Sequence, residues 1–223
     1  MELVKKPAYP RGMVPILLAV IVAASDVARP DDAERLPGAV IAPAVLPPGA
    51  SAANVMLGAP AVGASYRHGL SHFELEGRFG LDYFQLQFSL EAFARVKLFQ
   101  RGIADAAATV GLGLVANTGA RYLNPVNAAY IGLRPSVGAI IGLRFSELVT
   151  GLWTVDFPGT IPFSGLGGRV SPTTGLGAEI HLGGSFSLAL MAGLGVDVQK
   201  PPLGVVVVTP AWFARMGVGY RFF

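Results

Sequence analysis

The sequence predicts an all-β fold, a transmembrane antiparallel up-and-down β-barrel of about ten strands, with eight as the alternative. Three observations predict it. Mean hydropathy is +0.53, yet beyond residue 24 no apolar run reaches the ~18 residues of a helical span. Glycine supplies 29 of 223 residues, roughly double the usual share, and it disfavours helix. Finally, apolar residues recur with period two in one segment after another, a signal that is weak singly and strong together.

The elements follow in chain order. Lys5, Lys6 and Arg11 precede a short apolar stretch at residues 13–24, closed by small residues. Twelve residues would reach only about 18 Å as a helix, so residues 1–24 are expected to be a cleaved signal peptide. Residues 25–35 read as a polar leader, and residues 36–223 as the barrel. Its first strand is placed at residues 36–46 in spite of Pro37 and Pro43, since proline is tolerated at a seam better than in mid-sheet. A weak strand over residues 55–67 comes next, then residues 73–81. The outward set Leu86, Phe88, Leu90, Ala92, Ala94, Val96 and Leu98 follows, and then residues 106–116, 131–145 and 149–157. Residues 175–182 and 186–198 alternate equally well, and residues 212–222 complete ten.

Connections between these strands fall into two alternating kinds. Short turns are expected near residues 68–70, 100–103, 146–147 and 183–184, and longer loops at residues 118–129, 159–172 and 199–209. Short turns belong on the periplasmic side of such barrels and long loops outside. Aromatics then gather at both ends: Tyr83, Phe84, Tyr130, Phe157 and Trp212 at the outer one, Phe99, Phe145, Phe186, Tyr220 and Phe222 at the inner. That arrangement suits two interfacial girdles.

In the last strand Trp212, Ala214, Met216, Val218, Tyr220 and Phe222 share one face, while Arg215, Gly217, Gly219 and Arg221 share the other. This ending resembles the C-terminal strand of bacterial outer-membrane β-barrels, the small porin-like class. The resemblance covers about a dozen residues. It implies an outer-membrane location, contact with outer-membrane lipid, and an assembly signal at Tyr220, Phe222 and Phe223 read by the barrel-assembly machinery. Tyr220 and Phe222 carry the expected phase, and Phe223 stands one residue beyond it.

The inward positions hold Glu74, Glu76, Arg78, Glu91, Arg95, Lys97, Arg134, Arg144, Glu179, His181, Asp197 and Arg215. Charges of both signs kept out of lipid in a narrow lumen predict a packed network, with Glu91 paired to Arg78 or Arg134 and Glu179 to Arg215. The alternative is the lining of a narrow pore or small-solute transporter. Open channels appear only at about sixteen strands, which favours a structural or surface-binding role.

Other chemistries find little footing. Without residues 1–24 the net charge falls from +3 to +1, so no electrostatic case for nucleic acid arises. The sequence has no cysteine, which excludes disulfides and thiolate metal sites. His68, His72 and His181 are its three histidines, and no hydrolase or metalloprotease motif surrounds them. Neither catalytic residues nor a cofactor is expected, and an outer-membrane hydrolase ranks last. Arg121, Tyr122, Phe163 and Arg169 in the long loops are candidate contacts for an extracellular ligand.

Overall fold

The computed structural model of the protein describes residues 38–121, 127–163, 167–183, 185–200 and 205–222. The expected signal peptide and polar leader lie outside them, as does Phe223. Twelve strand segments are present: β1 (Ser51–Ala59), β2 (Ala61–Gly69), β3 (Phe73–Asp82), β4 (Gln87–Arg101), β5 (Ala104–Thr118), β6 (Ala129–Leu133), β7 (Ser136–Arg144), β8 (Val149–Pro162), β9 (Gly168–Val170), β10 (Thr173–His181), β11 (Phe186–Lys200) and β12 (Val207–Phe222). All pairings are antiparallel, and β12 pairs with β1, so the sheet closes on itself.

Two staves of the barrel are interrupted. β6 and β7 together lie between β5 and β8, and β9 and β10 together lie between β8 and β11. Pro135 and Pro172 sit at the breaks, where the missing N–H leaves a gap in the ladder. Both proline carbonyls still accept from neighbouring strands, Pro135 from Gly159 and Pro172 from Val196. Ten staves result.

Alternation sorts the two faces. Phe88, Leu90, Leu112, Leu114, Trp153, Leu176, Leu194 and Met216 point outward and are 43–71% exposed, while Glu74, Arg95, Glu179 and Arg221 point inward and are buried. A bulge between Lys97 and Phe99 resets the phase of β4, which turns Phe99 outward. At the short-turn end Phe186, Tyr220 and Phe222 stack edge to face, with centroids 5.1 and 4.9 Å apart. At the other end Phe84 meets Trp212 at 6.1 Å. Tyr130 departs from the girdle expected of it: it is 5% exposed and its hydroxyl donates to Gln87 Oε1.

Ten strands are found, but not the ten expected. Residues 55–67 are two strands rather than one, with β1 turning into β2 at Pro60. The described part of residues 36–46 forms no strand. Instead residues 38–50 lie inside the barrel at its short-turn end as a plug. Ala39, Val40, Ile41, Ala42, Ala44 and Leu46 are at most 4% exposed. Their alternation of apolar residues and prolines mimics a seam strand, but the apolar side chains serve a protein interior. Val40, Ile41, Ala42 and Ala44 pack with Ala107, Ile140, Leu152, Ala189 and Met191, which project inward from the wall, and Ala39 and Leu46 cluster with Ala50 and Ala52.

Connections on the plug side span residues 70–72, 102–103, 145–148 and 182–185. At the opposite end the chain turns tightly at Pro60 and over residues 83–86, and the three longest connections join β5 to β6, β8 to β9 and β11 to β12. The strands run further than expected into the last two, so those loops are shorter than residues 159–172 and 199–209. Because such barrels carry their longest loops outside, we assign the plug end to the periplasm. The plug therefore closes the periplasmic mouth.

Candidate functional site

The lumen is built in two halves. In the periplasmic half, carboxylates on the wall hold the backbone of the plug. Glu179 on β10 accepts N–H bonds from Ala39, Val40, Ile41 and Ala42 at 2.8–2.9 Å, and Ser187 also donates its hydroxyl to it. Asp105 on β5 accepts from Ala44, and Glu74 on β3 accepts from Leu46 at 2.7 Å. Each charged hydrogen bond of this kind contributes about 1.5–3 kcal/mol. The plug has no secondary structure to satisfy its own N–H groups, so these carboxylates are what lets it be buried.

Arg67 on β2 holds the plug from its carbonyl side. Its Nε donates to Glu74 at 2.7 Å, and its terminal nitrogens donate to the carbonyls of Val40, Ile41 and Pro43. Arg95 bridges Glu74 at 3.3 Å and Glu76 at 2.6 Å. Glycines make the room. A Cβ at Gly69 would fall on the Pro47 carbonyl oxygen, and one at Gly219 would sit 2.7 Å from the Ala39 carbonyl carbon. Gly38 itself has φ +139°, a conformation open to glycine at little cost.

The outer half is hollow. A cavity of about 570 Å3 opens at the long-loop end, and a second of about 230 Å3 lies beneath it with Ile41 of the plug among its lining residues. Arg78, Glu91, Arg134, Asp156, Phe213 and Arg215, with Pro60 and Ala61, line both cavities and so form the waist between them. Arg78 lies 3.2 Å from Glu76 and stacks over Phe93. Arg134 lies 3.3 Å from Glu91, whereas Arg78 and Glu91 form no ion pair among the described residues.

Arg215 stacks 4.6 Å over Phe213 and reaches Met191 Sδ, not Glu179. The Glu179–Arg215 pairing expected from sequence is thus overturned, because the plug's N–H groups occupy that carboxylate. Nor is the lumen packed throughout: packing is confined to the plugged half. Above the waist, Arg169 crosses the mouth. Its Nε lies 2.6 Å from Asp197, and its Nη1 donates to Gln85 and Gln87.

The remaining charged positions lie near the periplasmic end. Lys97 donates to Gln100. His181 shares a hydrogen bond with Thr150 at 3.0 Å. Arg144 donates to the carbonyl of Ser146. His68 belongs to β2, not to a turn, and meets Ser51 Oγ at 2.8 Å, while His72 meets Ser71. Asp156 is in register with Thr173, eight residues from His181 along β10, or about 26 Å at ~3.3 Å per residue. That aspartate and histidine therefore cannot form a catalytic pair.

Arg67, Asp105, Asp156, Arg169 and Arg221 also face the lumen, although the sequence reading omits them from the network. Splitting residues 55–67 at Pro60 would have revealed Arg67, which shares a face with Ser65 and Gly63. Among the described residues no group of three or more His, Cys, Asp or Glu could hold a metal ion.

No family model matches the chain, and no curated protein does. Among solved structures, the N-terminal β-barrel domain of Pseudomonas aeruginosa OprF is 14% identical over 78% of this chain and 98% of its own, with a TM-score of 0.33. The KdgM porin is 8% identical over the same shares, with a TM-score of 0.38. Both likenesses are distant. The chain's own geometry carries the fold: a closed antiparallel barrel, apolar outside and charged inside, is the architecture of a transmembrane β-barrel.

Proposed function

We propose that this barrel is a narrow, non-enzymatic passage for small polar solutes, closed in its resting state by residues 38–50. The observation that carries this is the nature of the seal. Wall side chains do not fill the lumen from end to end; a separate stretch of backbone closes it at one end. Above the plug, two adjoining cavities with charged residues between them reach down from the outer mouth to Ile41. Removing one chain segment would continue that path to the periplasm. The reading includes removal of residues 1–24 on export, and recognition of Tyr220, Phe222 and Phe223 by the barrel-assembly machinery.

A closed barrel with a structural or surface-binding role is the second reading. The completeness of the plug's hydrogen bonding favours it. Planar bilayers separate the two. The full chain should give few or no conductance steps, and a variant lacking residues 38–47 should give steady ones. Folding of that variant is checked by its faster migration on gels before boiling. Glu179→Ala, which removes one clamp and leaves the chain whole, supplies a second test. Folded but silent variants would establish the closed barrel instead.

A further inference from the structure

The waist of the lumen holds one cation and one anion that feel each other's charge at a distance but make no close ion pair among the described residues. Arg215 and Asp156 form no ion pair among the described residues, whereas Arg78, Arg95, Arg134 and Arg169 each have a carboxylate within 3.3 Å. Arg215 places its guanidinium against the Phe213 ring, and its one hydrogen bond among the described residues is a 4.0 Å contact to Met191 Sδ. Its Nε is buried without a partner. Asp156 rests in space left by Gly138, where an added Cβ would stand 2.8 Å from its Oδ1, and no hydrogen bond is made to its carboxylate by the described residues. Both residues line both cavities, so both charges face the same water-accessible space.

Charged groups in such a half-desolvated place are stabilised by whatever completes them. A guanidinium offers five N–H donors and favours a carboxylate, while a lone carboxylate favours an ammonium group. We propose that the waist is a binding site for a small zwitterion carrying both groups. Its carboxylate engages Arg215, its ammonium engages Asp156, and its hydrocarbon lies beside the Phe213 ring. The lower cavity, about 230 Å3, admits a molecule of a few carbon atoms, not a peptide or an oligosaccharide. Phe213 is held in place by the wall itself: a Cβ on Gly175 or Gly193 would strike its ring.

The site requires no conduction and is tested with the plug in place, so a barrel that never opens can still bear it out. Calorimetric titration of the full chain in a nonionic detergent would compare γ-aminobutyrate with butyrate and with butylamine. Binding of the zwitterion about tenfold or more tighter than either singly charged molecule is expected. Arg215→Gln should abolish the preference over butylamine, and Asp156→Asn the preference over butyrate, each in protein that retains heat-modifiable gel migration. Equal binding of the three molecules, or no binding of γ-aminobutyrate, would overturn the proposal. So would folded variants whose preferences are unchanged. Because the three-ligand comparison uses the unaltered protein, the outcome does not hinge on either variant folding.

Discussion

Two arginines, one beside the plug and one at the waist of the lumen, show how one barrel wall serves two purposes. Arg67, in the periplasmic half, has no exposed side-chain surface and uses its guanidinium on Glu74 and three plug carbonyls. Arg134, at the waist, keeps 22% of its side chain exposed and has a single 3.3 Å approach to Glu91. The wall supplies the same kind of residue in both places. What differs is whether a peptide backbone lies opposite it. Where the plug is present, charge is consumed by structure; where it is absent, charge faces a cavity and is open to solutes.

The sharpest way to break that comparison is Arg67→Met. It leaves Glu74 buried with one of its two arginines gone and frees three plug carbonyls, a loss of about 3–5 kcal/mol. The temperature at which the folded gel band disappears should fall markedly. A band as stable as that of the unaltered protein would show that the plug is not held from this side.

Next in size is a purely steric test. Gly69→Val puts a branched side chain where the Pro47 carbonyl now lies, and overpacking of this kind costs about 1–3 kcal/mol. The plug is expected to be displaced, giving conductance steps in planar bilayers without altering any charge. Gly77→Val is the control, since a Cβ there meets nothing within 4 Å. If both variants stayed silent, the plug would not be the gate.

The outer wall was legible in the sequence and the plug was not, for a physical reason. Phe88, Leu90, Glu91 and Arg95 reveal their faces because lipid demands apolar side chains on one side and the strand alternates regardless. Val40, Ala42, Ala44 and Leu46 are apolar for a different purpose, and their period resembles that of a strand. Their polar needs sit on backbone N–H groups, which no side-chain pattern displays. Two traces were there to be read. Proline at 43, 47 and 48 suits a strand poorly, and Ile140 and Leu152 are apolar on a face that should be small or charged. A barrel lining with large apolar side chains implies that something other than water covers them. The waist pair was half legible: alternation along the last strand sets Arg215 on the face of Gly217, Gly219 and Arg221. The lack of a partner for Arg215 depends on the plug occupying Glu179, which only the three-dimensional arrangement reveals.

A smaller effect is expected from the upper half of the comparison. Arg134→Met removes a partly exposed ion pair, for which about 1 kcal/mol or less is typical. Thermal stability of the folded band should therefore barely change. A fall as large as that of Arg67→Met would mean that the waist is as tightly knit as the floor, and that the contrast between the two halves is wrong.

Arg169→Gln decides where the passage is narrowest. Arg169 spans the outer mouth from Asp197 to Gln85 and Gln87, and the waist lies below it. Segments in series add their resistances, so shortening a side chain matters only where it forms the tightest segment. In the variant lacking residues 38–47, adding Arg169→Gln should leave single-channel conductance nearly unchanged if the waist is limiting. The same background with Arg215→Gln should then alter both conductance and the preference between cations and anions, because a charge at the constriction acts on every ion that passes. A large rise from Arg169→Gln alone would move the constriction to the rim. The waist would then be a chamber beneath a lid, not the selective point of the passage.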